Sequence, residues 1–527
     1  NPWQLSPQEG RDVSFVRDLG VDQLLGGIPF LGSDTRELAL FVFAHLPEDT
    51  TTVRYRQDVF ADLLARDRLR SDLRGAVRSL LLIDRKSREF EWGQNLQTGL
   101  QLLRAYRRFI ELPLDVAGVS SEALCSLADY LETVRGSSEF AGLCRFIERI
   151  ESLGGVAFHV SLDDEGQPER MFTLRLLDGS ENRGLSPELE QLLGPRLYER
   201  LPEAGDGSLG LKEPWGLTEL GKLIQEFVSQ QFVAAIAGFN EQIRAVVELL
   251  GPLDLYTAFA EFFHGLAGRG LPVCRPRIAE PGVRTLDVKG ACNPLLAGRT
   301  AAEAVVPNDI LQSPRTNLFV LTGANNGGKT TFVKTVGLIQ LLAQKGLPVT
   351  AEQAQVSLAD GIYTHFVAPD DITKGEGRYR NELRRIRQIL ERATPFSLVI
   401  LDEPCGGTDH QEGQRQSLVL LRGFHTLGAA TYFTTHMHEV AAAVEAGEFP
   451  GAANLRVECR REAGTLRYSY RILPGAAGRS YGEEIALEMG LVEQEVLGII
   501  RARATEEGYQ ELLRSTGAGM SKEVDSA

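Results

Sequence analysis

Gly323, four further residues, then Gly328, Lys329 and Thr330 make up a G-x-x-x-x-G-K-[ST] pattern, the spacing that cradles a polyphosphate. The pattern lies inside NLFVLTGANNGGKTTFVKT, residues 317–335, where an apolar run at 318–321 gives way to a helical pattern at Lys329. Glycines leave the backbone N–H groups free to curl around an anion, and the following helix offers its positive end to the same anion. Gly323, Ala324, Asn325, Asn326, Gly327, Gly328, Lys329, Thr330 and Thr331 are therefore candidate nucleotide-binding residues. Lys329 has the reach for the β- and γ-phosphates, and the Thr330 hydroxyl suits Mg²⁺.

Two later stretches fit the same chemistry. Residues 397–401, SLVIL, read as a buried strand ending in Asp402-Glu403. An acid at the C-terminal edge of such a strand holds Mg²⁺ in nucleotide hydrolases, which makes Asp402 a candidate metal ligand. Glu403, one residue on, is placed to act as general base on an attacking water. Residues 431–435, TYFTT, form another strand pattern that ends at His436. Taken alone, such a histidine reads as a packed or surface residue. After the other two stretches, in this order, it is a candidate γ-phosphate sensor.

The elements that must position these groups are spread along 527 residues, enough for two to four domains. Hydrophobic residues make up 43% and charged residues 24%, ordinary for a globular chain. No apolar run is long enough to span a bilayer, and NPWQLSPQEG has no signal-peptide pattern, so no membrane partner and a cytoplasmic location are expected. Six scattered cysteines without a C-x-x-C pair fit free thiols rather than a disulfide or zinc framework. A net charge of −15 confines any nucleic-acid contact to local basic patches.

Residues 1–110 read as helices, the first part of an all-α core. Arg54, Arg56, Arg66, Arg68 and Arg70 read first as a solvated helix face and second as a polyanion contact. Residues 111–215 hold an insertion in which VAFHVSL and RMFTLRLL predict a β-hairpin around residues 163–168, with a loop-rich stretch over 178–215. Residues 216–285 return to helix. Ile236, Phe239, Ile243, Val246 and Leu250 predict one continuous lever helix over 216–250, roughly 50 Å long. From 286 to 510 strands and helices alternate, and 511–527 read as a disordered tail. The fold class is thus multidomain: an all-α core and lever domain with a small β-containing insertion, then an α/β phosphate-loop ATPase domain.

Several motifs, in order, resemble the MutS family of ABC-type ATPases. They are NPLL (293–296), VPNDI (306–310), GANNGGKTT (323–331), FVAPDDITKGEGRYRNEL (366–383), LDEPCGGTD (401–409), FTTHMHEV (433–440) and GRSYGEEIALEMGL (478–491). TVGLIQLLAQKGL and GTDHQEG resemble the branch without mismatch recognition. The resemblance implies ATP and Mg²⁺ bound between two subunits of a homodimer. It gives Asn325 the task of orienting the γ-phosphate or the attacking water, and Gly407-Thr408-Asp409 a contact across to the partner subunit. Where the family carries Ser-Thr for the contact across subunits, this chain has Gly377-Arg378, implying either a weaker composite site or one that uses Arg378. Val305 stands where the family often has an adenine-stacking aromatic. The family's mismatch-reading wedge has no counterpart in these residues, its nuclease module finds no room, and 111–215 resemble a shortened clamp. The implied partner is duplex or branched DNA, with a ribosome or protein assembly as the alternative.

Overall fold

The computed structural model describes residues 13–178 and 238–504, apart from 30, 48, 94–95, 152, 163–167, 281, 325, 367–377, 463–464, 478–485 and 488. The chain forms two compact units, one of residues 62–260 and one of residues 1–61 with 261–527.

The described residues of 62–260 are mainly helical. The helix Asp67–Gly93 is 27 residues long. Leu69, Leu73, Val77, Leu80 and Ile83 recur along it every three or four residues and are buried, the stripe of an amphipathic helix. It packs against Leu96–Ile110, which contributes Leu103, Phe109 and Ile110 to the same core. Glu122–Arg135 is capped by Ser121, whose hydroxyl accepts from Leu124 N–H at 3.2 Å. Strand β1 (Leu153–Leu162) pairs antiparallel with β2 (Pro168–Asp178), forming the hairpin expected in the insertion. The expected loop-rich stretch from 179 on, and the lever helix over 216–237, lie outside the described residues. Beyond them the expected continuous helix is interrupted: Gly238 and Phe239 form a turn, and the helix that follows, Asn240–Val247, is eight residues long, before Leu250–Gly268 begins. Pro252 in its first turn fits a helix start, where its missing N–H has no partner to lose.

The basic stretch over 54–70 departs from its expected solvated face. Arg56 is 1% exposed and Arg70 is 5% exposed. Arg70 donates to Leu63 O at 2.9 Å and to Asp67 at 2.8 Å, while Arg66 pairs with the buried carboxylate of Asp62. That carboxylate also accepts the N–H groups of Ser120 and Ser121. A guanidinium with carbonyl and carboxylate acceptors can stay inside a helical core. Only Arg54 and Arg68 of the five are exposed.

The second unit is α/β. Strand β6 (Leu318–Thr322) lies inside a six-stranded sheet of order β12-β11-β6-β10-β9-β8, with β8 as Ile362–His365, β9 as Leu398–Asp402, β10 as Ala430–Thr434, β11 as Ala452–Glu462 and β12 as Thr465–Pro474. All pairings are parallel except β11 with β12. Every residue of β6 and β9 is buried, the continuous apolar run of a parallel strand covered on both faces. Helices Arg378–Arg392, His410–Leu427 and His438–Glu445 close a core of Val320, Leu401, Ile386, Ile389, Phe424 and Val440. A second, four-stranded sheet has order β3-β7-β4-β5, from Arg277–Ile278, Gln353–Val356, Leu286–Ala291 and Asn308–Gln312.

Helix Lys329–Gln344 is almost wholly buried. A Cβ on its Gly337 would stand 2.5 Å from Leu19 Cδ2 and 2.9 Å from Ile400 Cδ1. That close approach draws the N-terminal helices into the α/β unit, so the compact units divide inside the helical stretch expected to run over 1–110. No helix among the described residues is long and apolar enough to cross a membrane.

Candidate nucleotide site

At the C-terminal end of β6 the chain turns through loop 323–328 into helix Lys329–Gln344, as the spacing requires. Gly323 has φ +142°, and a Cβ there would stand 2.9 Å from Val457 Cβ. Gly327 has room for no side chain either, since its Cβ would lie 2.8 Å from Val457 Cγ1 and 3.0 Å from Ala324 O. The glycines thus let the loop lie flat against β11. Gly328 caps the helix in the left-handed region. Ala324 is buried and Asn326 is exposed with φ +65°, while Asn325 lies outside the described residues.

Lys329, the first helical residue, is 4% exposed. Its ammonium donates to Gly323 O at 2.8 Å and pairs with Glu403 Oε1 at 3.2 Å. Thr330 Oγ1 donates to Asp402 Oδ2 at 2.8 Å. Thr331 is half-buried, and its carbonyl accepts from Thr335 Oγ1 at 2.7 Å.

Asp402 ends β9, one strand away from β6 across β10. Its second oxygen accepts from Thr434 Oγ1 at 2.6 Å, and that hydroxyl in turn accepts the Glu403 N–H at 2.9 Å. Lys329, Thr330, Asp402, Glu403 and Thr434 therefore form one bonded group across three strand ends. Thr434 was given no role by its sequence; a hydroxyl at the end of a buried strand, just ahead of His436, is the signal that could have found it.

The other candidates stand apart from this group. His436 is exposed, its ring 6.5 Å from that of His410, and no bond among the described residues ties it to Glu403 or Lys329. Asp409 caps helix His410–Leu427 by accepting from Gln411 N–H at 2.9 Å. Gly377 lies outside the described residues, and Arg378 is the first residue of helix Arg378–Arg392. Further along that helix Arg385 is half-buried, donates to Thr364 O at 2.9 Å and pairs with Asp18.

Thr330 and Asp402 fit a divalent cation. A hydroxyl and a carboxylate oxygen 2.8 Å apart are hard donors converging on one point, and Mg²⁺ takes one or two such protein ligands besides water and phosphate oxygens. Cys405, two residues after Glu403, does not compete as a nucleophile: burial first, and the charge of Glu382 second, push its thiol up to about 12.

Tyr470 is a further candidate that the motifs did not disclose. A Cβ on Gly328 would stand 3.3 Å from its ring. The ring is 49% exposed, and the residue has φ +58°, uncommon for a bulky side chain. Asn308 fixes it on both sides, donating to Tyr470 O at 3.0 Å and accepting from Ile472 N–H at 2.7 Å. An exposed aromatic face beside the phosphate loop can stack a base.

Residues 319–506 match the family model for MutS domain V. Over 264 residues, half of this chain, the sequence is 37% identical to the DNA mismatch repair protein MutS of Thermus aquaticus, of which the match covers 30%. The DNA mismatch repair protein MutS of Rhodopirellula baltica is 37% identical over 219 residues, 24% of its length. That of Fervidobacterium nodosum is 29% identical over 286 residues, 33% of its length. The match thus spans a third or less of each of these relatives.

Proposed function

Because the chain belongs to the MutS family, we propose that it binds ATP at the end of β6 and hydrolyses it with Mg²⁺, as a homodimer acting on duplex or branched DNA. The observation that carries the hydrolysis is the bonded group of Lys329, Thr330, Asp402, Thr434 and Glu403. Lys329 supplies a buried positive charge to the phosphates, and loop 323–328 supplies backbone N–H groups. Glu403 takes the proton of the attacking water, Asn325 orients that water, and His436 senses the γ-phosphate. Thr330 and Asp402 would hold Mg²⁺, which would supply positive charge to offset that of the phosphates. Tyr470 stacks the adenine, taking the place of the aromatic that Val305 lacks.

Arg378 and the loop of Gly407, Thr408 and Asp409 contribute across the subunit boundary to the second site. Association is supported by the exposed apolar residues Leu497, Ile499 and Ile500 on helix Glu493–Ala504, a surface that a second copy would cover. DNA as the partner is supported by the names of the relatives, and the preference for duplex or branched over mismatched DNA by the likeness of TVGLIQLLAQKGL and GTDHQEG to the branch without mismatch recognition. A cytoplasmic location belongs to the same proposal.

Phosphate release measured against protein concentration tests the shared site: specific activity should fall as the protein dissociates, and a constant value in the monomer range counts against it. Binding titrations on matched, mismatched and four-way-junction DNA at two salt concentrations test the partner, with affinity falling steeply as salt rises. A tenfold preference for the mismatch, about 1.4 kcal/mol, would overturn the non-mismatch reading. Absence of binding to all three would move the proposal to a ribosome or protein assembly.

A further inference from the structure

We propose that Glu382 is a positioning residue for ATP hydrolysis, its buried carboxylate holding the turn that carries Glu403 and tying that turn to helix Arg378–Arg392. This rests on Glu403 being the general base.

Turn 403–405 is strained. Glu403 has φ +49° and Cys405 φ +66°, and the left-handed region costs a residue with a Cβ roughly 1–2 kcal/mol. Such a turn keeps its shape only when its surroundings over-determine it. On one side Glu403 N–H is held by Thr434, at 3.2 Å to its carbonyl and 2.9 Å to its hydroxyl. On the other side the tie is Cys405 N–H, which donates to Glu382 Oε1 at 2.7 Å. The carboxylate of Glu403 lies between these two anchors, and its aim depends on both.

Glu382 is well suited to hold its end. It is 9% exposed, and the same Oε1 lies 3.2 Å from Nε2 of His365, which is 5% exposed at the end of β8. Two partners from separate elements thus set one rotamer. The helix that carries it is clamped as well. Arg385, three residues on, donates to Thr364 O at 2.9 Å and Ser14 Oγ at 3.1 Å and pairs with Asp18, which also accepts from Thr364 Oγ1 at 2.7 Å. The helix that begins at Arg378, the residue proposed to reach the second subunit, is therefore linked at one point to the catalytic turn and at another to the N-terminal helix Ser14–Asp18. Movement of this helix on dimerisation reaches Glu403 through the Glu382 carboxylate.

The test compares the parent protein with Glu382→Gln, Glu382→Leu, Asp18→Ala and Glu403→Gln, reading kcat, ATP affinity by a fluorescent analogue, and thermal melting. Glutamine keeps an oxygen to accept the Cys405 N–H, so kcat should stay within about threefold of the parent. Leucine removes it, and kcat should fall about 10- to 100-fold, the effect of an angstrom-scale misplacement, with ATP affinity unchanged. Asp18→Ala should lower kcat by about threefold in the parent and add nothing in Glu382→Leu, since both act through one helix. Full turnover in a folded Glu382→Leu protein, while Glu403→Gln is inactive, overturns this inference alone. Normal turnover in Glu403→Gln overturns the base assignment and this inference with it. If Glu382→Leu does not fold, Asp18→Ala decides: lower kcat at unchanged ATP affinity supports the coupling, and unchanged kcat refutes it.

Discussion

Loop 323–328 and turn 403–405 meet at the ion pair of Lys329 and Glu403, yet they acquire their shapes differently. The loop is shaped chiefly by its own residues: glycines at the crowded positions 323 and 327 and at Gly328, an asparagine, Asn326, at the other left-handed position, then a helix that starts at Lys329. The turn has no glycine at either of its positive-φ residues. Thr434, Glu382 and the packing of Cys405 O on Gly413 hold it, with a Cβ on Gly413 reaching to 2.7 Å of that oxygen. A phosphate cradle built from one segment can form wherever that segment is placed. A catalytic carboxylate aimed by remote elements responds when those elements move.

Substitutions separate the two. The largest effect is expected at Glu403→Gln, which should lower kcat roughly 10²- to 10⁴-fold, the worth of a general base, while ATP binding by a fluorescent analogue persists. Retained hydrolysis would show that the turn does not carry the base. Next comes Gly323→Ala, where strained φ and the contact with Val457 together cost about 2–3 kcal/mol, a loss of about 30- to 150-fold in nucleotide affinity. Adding Val457→Ala should restore little there, because the φ remains, but should restore part of the loss in Gly327→Ala, whose loss arises from contact. Equal rescue at both glycines would blur the distinction between shape and space within the loop.

Thr434→Val keeps the side-chain shape but leaves Asp402 and the Glu403 N–H without a shared hydroxyl. Steady-state phosphate release should fall about tenfold, near 1.4 kcal/mol, within the range for a lost charge-assisted hydrogen bond, and ATP affinity should change less than kcat. The smallest effect is expected at Tyr470→Ala. Removal of one half-exposed stacking ring, worth about 1 kcal/mol at the low end of base stacking, should weaken ATP about fivefold in competition binding, with kcat at saturation unchanged.

What could be read from the sequence tracks the same division. The hydrophobic runs at 318–321 and 398–401 marked the central strands, since a parallel strand covered on both faces is apolar throughout. The hairpin of β1 and β2 was visible in two β-prone runs around a polar tip. Asn308 was noticed in VPNDI, but its grip on Tyr470, 162 positions away, was not. The five arginines after Thr50 illustrate the limit most clearly. A basic stretch on an amphipathic pattern reads as a wet surface, and the structure buries Arg56 and Arg70.

By itself, then, the sequence determined the phosphate loop, the acidic strand end and the order of strands and helices around them. These depend on φ preferences, on helix starts and on apolar runs, all of which act over a few residues. Only the tertiary structure decided which hydroxyl or N–H meets which carboxylate: Thr330 with Asp402 across 72 positions, Thr434 with Asp402 across 32, and Cys405 with Glu382 across 23. Such pairings carry no local signature. A buried acceptor is satisfied by whichever donor the packing of the whole unit brings within about 3 Å, and that choice is made when the sheet and its helices close on one core.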